Sequence, residues 1–244
     1  MRQIQRTDLD PVTANALQLL QREVDSQRAS EDFNPESHWK GKRRSPLILA
    51  VHAVLKRMAG VRERCMYCLD SECSDIEHFW PKSPHSDRMY VWTNLLAACA
   101  QCGRFKGTKF PLASDGTPLL IDPSIEDPWE FLDFDPDTGN LNARWVLSEG
   151  GFSPKGEATV TALHLDKREG VSAGYRKTFN RLRKLVSDWN DNNLVGDYLE
   201  QLEAADDHGL LGWFLNGTGQ NDPSFSRFRA RHQNAWAACK NSLR

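Results

Sequence analysis

Two cysteine pairs raise the first chemical question. Cys65-x2-Cys68 and Cys99-x2-Cys102 are separated by 30 residues. Each short spacing makes a turn whose thiolates converge, and two such turns complete a tetrahedral zinc site. Four thiolates leave zinc no open position for water, so the ion reads as structural. Sites of this kind stabilise small irregular folds, with apparent binding free energies of roughly 10–16 kcal/mol in zinc peptides near neutral pH. The reactive groups must then lie between the pairs, in "DIEHFWPK" (Asp75 to Lys82) and "WTNLL" (Trp92 to Leu96). An acid beside a histidine, Glu77-His78, followed by Asn94, lets a carboxylate hold a divalent cation while an imidazole activates water. Cys73 stands outside the pairs as a spare ligand or a small packing residue, and Cys239 reads as core.

The elements that position these groups fall into three regions. Residues 1–60 read as helical: Val12, Ala16, Leu19, Leu20 and Val24 recur at helical spacing, and "SPLILAVHAVLKRMAG" has Pro46 near a helix start and Gly60 as a stop. Residues 61–145 are short-period and punctuated by turn signals such as "PKSP", "ASDGTP" and "DPDTGN", which predicts small strands and loops around the site. Residues 146–244 return to helix. There Tyr175, Phe179, Leu182, Val186 and Trp189 form a core stripe, "GDYLEQLEAADDHG" adds a helix, "LNGTGQNDPS" reads as a flexible break, and a last helix runs from Phe225 to about Asn241. The fold class expected is mainly α, with a small α+β zinc-stapled module between helical flanks.

Composition narrows the function classes. No apolar run in the 244 residues approaches the roughly 18 of a membrane span, and "MRQIQRTDLD" lacks the apolar core of a signal peptide. Paired cysteines at metal spacing suit a reducing compartment, so a soluble cytoplasmic protein is expected. The net charge of −2 hides a local block: from Ser37 to Arg64, Lys40, Lys42, Arg43, Arg44, Lys56, Arg57, Arg62 and Arg64 face Glu63 alone. Such a block is a solvated surface or, beside a metal motif, a phosphate-attracting rim. "GRFKGTK" is a decoy for a phosphate-binding loop, because its glycine spacing and Thr-Lys order are wrong.

Cys65-x2-Cys68, Glu77-His78, Pro81-Lys82, Asn94-Leu95, Cys99-x2-Cys102 and Lys106 together resemble the zinc-bearing branch of the HNH endonucleases over residues 61–111. That resemblance implies a ββα-metal module. Within the superfamily, "EHFWPK", "WTNLLAAC", "KGTKFP", "LLIDPSIEDPWEFLDFDPDTGNL" and "TALHLDKREGVSAGYRKTF" resemble the Septu-type antiphage HNH proteins, also found beside retrons. The implied partners are nucleic acid, an ABC-type ATPase and, in a retron setting, a reverse transcriptase with its msDNA. The implied roles are His78 as general base, Glu77 as ligand of a catalytic Mg²⁺ or Mn²⁺, and Asn94 as the residue that orients the loop or His78. Asp75, two residues before Glu77 on a strand, shares its side and would assist the cation. Lys40, Lys42, Arg43, Arg44, Lys82 and Lys106 are the candidate nucleic-acid contacts, and His85 is read as a loop histidine.

Gly103 departs from the family pattern, which places Asn or His after the fourth cysteine as a second ligand of the catalytic cation. The function expected is metal-dependent hydrolysis of phosphodiesters, DNA favoured. The alternatives are an RNA- or tRNA-cleaving effector and a catalytically degenerate zinc module that binds nucleic acid or the ATPase. The helices carrying Arg176 to Lys184 and "EQLEAADD" read as a partner-docking surface or as solvated faces.

Overall fold

The structure is a computed structural model that describes residues 1–192 and 197–242. Its first three helices, α1 (Pro11–Gln27), α2 (Pro35–Lys42) and α3 (Pro46–Met58), open on one local signal. An acceptor side chain, Asp10, Asn34 or Ser45, takes free backbone N–H groups of the first turn, and a proline follows at the first helical position. Gly60, at φ +91°, ends α3 in a conformation that side-chain-bearing residues avoid. The apolar stripe expected on α1 is rotated. Leu17, Gln21 and Val24 are buried, while Val12 and Leu19 are exposed. Gln21 is drawn inward because its amide accepts from Tyr90 N at 2.7 Å and donates to Ser86 O at 3.1 Å.

The next unit is a hairpin followed by a helix. β1 (Asp75–His78) pairs antiparallel with β2 (Leu95–Ala98), Glu77 opposite Leu96 and His78 opposite Leu95, and α4 (Ala100–Lys106) begins two residues after β2 ends. β2 is apolar throughout because both of its faces are covered. The first cysteine turn is stitched to this strand by Met66 N donating to Ala97 O at 2.9 Å. The second turn starts the helix, where Cys99 caps α4 by accepting from Cys102 N at 3.4 Å.

Two more antiparallel hairpins follow, β3 (Leu132–Phe134) with β4 (Leu141–Ala143), and β5 (Trp145–Val146) with β6 (Gly151–Phe152). The chain then runs through α5 (Pro154–Leu163), α6 (Glu169–Asn192), α7 (Tyr198–Ala205), α8 (Leu210–Asn216), α9 (Pro223–Arg231) and α10 (Gln233–Ser242). The five stripe residues of α6 are buried, as their spacing predicts. Two expectations are corrected. The "LNGTGQNDPS" stretch is no open break but the end of α8 and a 3-10 turn, packed so closely that a Cβ at Gly219 would lie 2.3 Å from the Trp213 ring. The last helix is two helices, divided at His232 (φ −127°, ψ 55°), whose carbonyl accepts from Trp236 N to start the second. The chain is mainly helical, and one hydrophobic cluster runs from Met1 through the cysteine turns to Cys239. No helix among the described residues is long and apolar enough to cross a membrane.

Candidate active site

The Sγ atoms of Cys65, Cys68, Cys99 and Cys102 all lie within 4.8 Å of one another, with Cys68 and Cys99 3.9 Å apart, and all four residues are buried. A tetrahedral Zn²⁺ with Zn–S bonds of about 2.3 Å has sulfur–sulfur edges of about 3.8 Å, so the four thiolates fit that ion. Cys73 is buried outside the cluster, where its backbone meets the His52 ring of α3. A residue outside the motif joins the site. Arg168, just before α6, donates from Nη1 to Cys102 Sγ at 3.1 Å and from Nη2 to Gln101 Oε1 at 2.7 Å. Four thiolates around a divalent cation carry a net double negative charge, and this buried guanidinium offsets part of it.

His78 is buried, its ring edge-on to Trp39 of α2 with centroids 4.5 Å apart. Its Nε2 lies 3.0 Å from Met89 O. A carbonyl accepts but cannot donate, so Nε2 carries the hydrogen and Nδ1 keeps the lone pair. Nδ1 makes no hydrogen bond among the described residues. Burial, reinforced by the charges of Lys82 and Lys106, lowers the His78 pKa to about 3, which keeps the imidazole neutral at neutral pH. Asn94 holds the loop that holds His78. It accepts from Trp80 N at 2.7 Å and donates to Trp80 O at 3.1 Å and Arg88 O at 2.9 Å, one residue before the carbonyl that fixes His78. Arg6 braces the other side, donating to Trp92 O at 3.0 Å and to Leu95 O at 3.1 Å.

Strand alternation gives Glu77 different neighbours. Its Oε1 accepts from Lys106 Nζ at 2.9 Å, and the same ammonium donates to His78 O at 2.7 Å. Burial pushes the Glu77 pKa up and that of Lys106 down, and their attraction opposes both shifts. The other oxygen, Oε2, faces Gly103, where a Cβ would stand 3.0 Å away. Gly103 therefore leaves room for the carboxylate as well as lacking a ligand atom. Oε2 is thus the one carboxylate oxygen the site would offer a divalent cation, the rest of whose shell would be water. Asp75 is exposed at the start of β1, where its charge acts on His52 of α3, and no second group of three ligating side chains is assembled among the described residues.

The basic block divides. Lys40, Arg43 and Arg44 are exposed at the end of α2, free of ion pairs among the described residues, while Lys42 lies 3.6 Å from Glu23 and Lys82 3.1 Å from Glu36. Lys56 and Arg62 pair with Glu63 and Asp207, and Arg64 donates to Asp70 O. Lys106 corrects an expectation: it is wholly buried, so its ammonium organises Glu77 and His78 rather than meeting phosphate at the surface. Trp39, Arg6 and Arg168 were missed by sequence reasoning. Trp39 lies beside the basic run, which was a usable signal, but nothing local to Arg6 or Arg168 marks its target.

No protein-family profile matches the chain. A curated protein, the Septu protein PtuB of Bacillus thuringiensis, is 31% identical over 109 residues, covering 43% of this chain and 37% of that protein. The match thus spans little more than a third of the relative's length.

Proposed function

We propose that this chain is an HNH-type nuclease that hydrolyses phosphodiester bonds, DNA favoured, as the effector of a Septu-like antiphage system with an ATPase partner. The observation that carries the reading is the geometry at His78: Nε2–H is committed to Met89 O and the Nδ1 lone pair is uncommitted, on a hairpin pinned to a four-cysteine cluster. Such an imidazole takes a proton from water as the water attacks phosphorus. Asn94 keeps the loop in place, Lys106 fixes Glu77 and the His78 carbonyl together, and Lys40, Arg43 and Arg44 offer an electrostatic rim. A Mg²⁺ or Mn²⁺ ion held at Glu77 Oε2 would supply charge stabilisation to the leaving 3′ oxygen. The likeness to a Septu protein supports the defence setting.

The test is cleavage of plasmid DNA and of total RNA by the chain, alone and with its ATPase, in Mg²⁺ or Mn²⁺. His78→Ala is expected to lower the rate at least a hundredfold, the usual scale of a lost general base. An unchanged rate would remove His78 from the mechanism. One observation favours a second reading, a zinc module that binds without cutting: Glu77 already has its charge matched by Lys106, and Gly103 adds no ligand. Activity gained by Gly103→Asn, where the native chain has none under any metal, would decide for that reading.

A further inference from the structure

Beside His78 lies a half-exposed aromatic cluster, topped by an arginine, that the hydrolytic roles leave unused. Phe110, Trp80 and Arg88 lie against one another: the Trp80 ring is tilted by 46° to Phe110 with centroids 4.3 Å apart, and the Arg88 guanidinium carbon sits over the Trp80 ring, 4.3 Å from its centroid. His85 closes one edge of Trp80 at 4.9 Å. The outer layer is Arg88, whose side chain is 47% exposed and whose contact with Asp87, at 3.9 Å, is a surface pair of little strength. Next to it opens a cavity of about 340 Å³ whose wall includes Phe79, Trp80, Arg88, Thr93, Asp122 and Lys155.

We infer that this cavity is a nucleobase subsite, in which an unpaired base next to the scissile phosphate stacks on Arg88, and that the substrate is therefore single-stranded or locally unpaired nucleic acid. The inference rests on the proposed nuclease reading and names its substrate class. A half-buried aromatic pair needs no arginine at its open end, whereas a guanidinium laid over a tryptophan offers a planar face for a base and a charge for its phosphate. The position is right as well. Trp80 is two residues past His78, so their Cα atoms lie within about 7 Å, and Asn94 and Met89 tie platform and imidazole into one loop. A base inside an intact duplex has no exposed face for such a platform.

The test is binding of the full chain, without added divalent cation, to fluorescent 12-nucleotide probes: a single strand with bases, an abasic strand with the same phosphates, and a blunt duplex, in DNA and RNA forms. The base-containing single strand is expected to bind about tenfold more tightly than the abasic strand. Arg88→Lys keeps the charge but loses the planar face, and it should abolish that preference while changing abasic binding less than twofold. Trp80→Leu should do the same. Should Trp80→Leu fail to fold, the half-exposed Arg88→Lys still decides. Equal binding of the two strands by the native chain, or a preference surviving in Arg88→Lys, overturns the subsite. Cleavage without base preference would defeat the subsite and leave the nuclease reading standing. No cleavage and no binding of any probe would defeat both.

Discussion

At the scale of the residue, Gly103 illustrates how a missing side chain acts through the space it leaves. Alanine there would raise helix propensity in α4 by about 1 kcal/mol, yet its Cβ would press on Glu77 Oε2 from 3.0 Å. That oxygen cannot retreat freely, because its partner oxygen is held by a wholly buried ammonium. Gly103→Ala is therefore expected to change the melting temperature by no more than a few degrees while lowering cleavage severalfold. A thermal melt beside a cleavage assay separates the two effects, and equal losses in both would contradict this account. Lys106 shows the limit of reading charge from sequence: a lysine just after a cysteine turn of a nuclease-like pattern invites an electrostatic role at the surface, but its three-dimensional place is under the strand.

At the scale of the element, α6 does more than fill the core. The residue just before it, Arg168, reaches Cys102 and Gln101 at the start of α4, so the C-terminal helices are fastened to the second cysteine turn through one guanidinium. Losing it leaves thiolate charge uncompensated in a buried site. Arg168→Gln is expected to release zinc to a chromogenic chelator roughly tenfold faster than the native chain, the lower end of what lost outer-shell partners cost. Release at the native rate would reduce Arg168 to a packing residue. α2 has a comparable double role: its Trp39 seats the His78 ring, while Lys40, Arg43 and Arg44 leave its far end charged. The aromatic and the cations fall in one short run because α2 and the turn that ends it carry both, the first inward and the others outward.

At the scale of the whole molecule, buried neutral histidines make the fold sensitive to acid. Burial lowers the pKa of His208 to about 4, and His52 and His78 shift in the same direction. The unfolded chain binds these protons from about pH 6.5 downward, so their contribution to stability is fully present above that pH and is lost as pH falls toward the folded values, about 4 for His208 and about 3 for His78. His208 joins the α7–α8 connection to Thr178 on α6, with 2.8 Å between Nδ1 and Thr178 Oγ1. Melting temperatures measured from pH 7.5 to 5 should fall, and His208→Gln should flatten the slope by up to one proton. A parallel slope in that variant would exclude His208 as a source. Much of this architecture was legible beforehand. The cysteine spacing, the proline start and glycine stop of α3 and the period of the α6 stripe are local, because a turn or an amphipathic face is written in neighbouring residues. Less legible were α8, the break at His232 and the turn of α1 toward Gln21, where packing partners far along the chain outweigh local pattern. By itself the sequence determined which residues are chemically capable: four thiolates at zinc spacing, an acid beside a histidine, an asparagine to follow, and a glycine where a ligand is usual. Tertiary structure alone decided their states. The Met89 carbonyl selects the His78 tautomer, Lys106 takes one oxygen of Glu77, and Arg168 arrives at Cys102 from 66 positions away. Protonation, charge pairing and access depend on what folding brings within a few ångströms, and those distances are set by the whole chain.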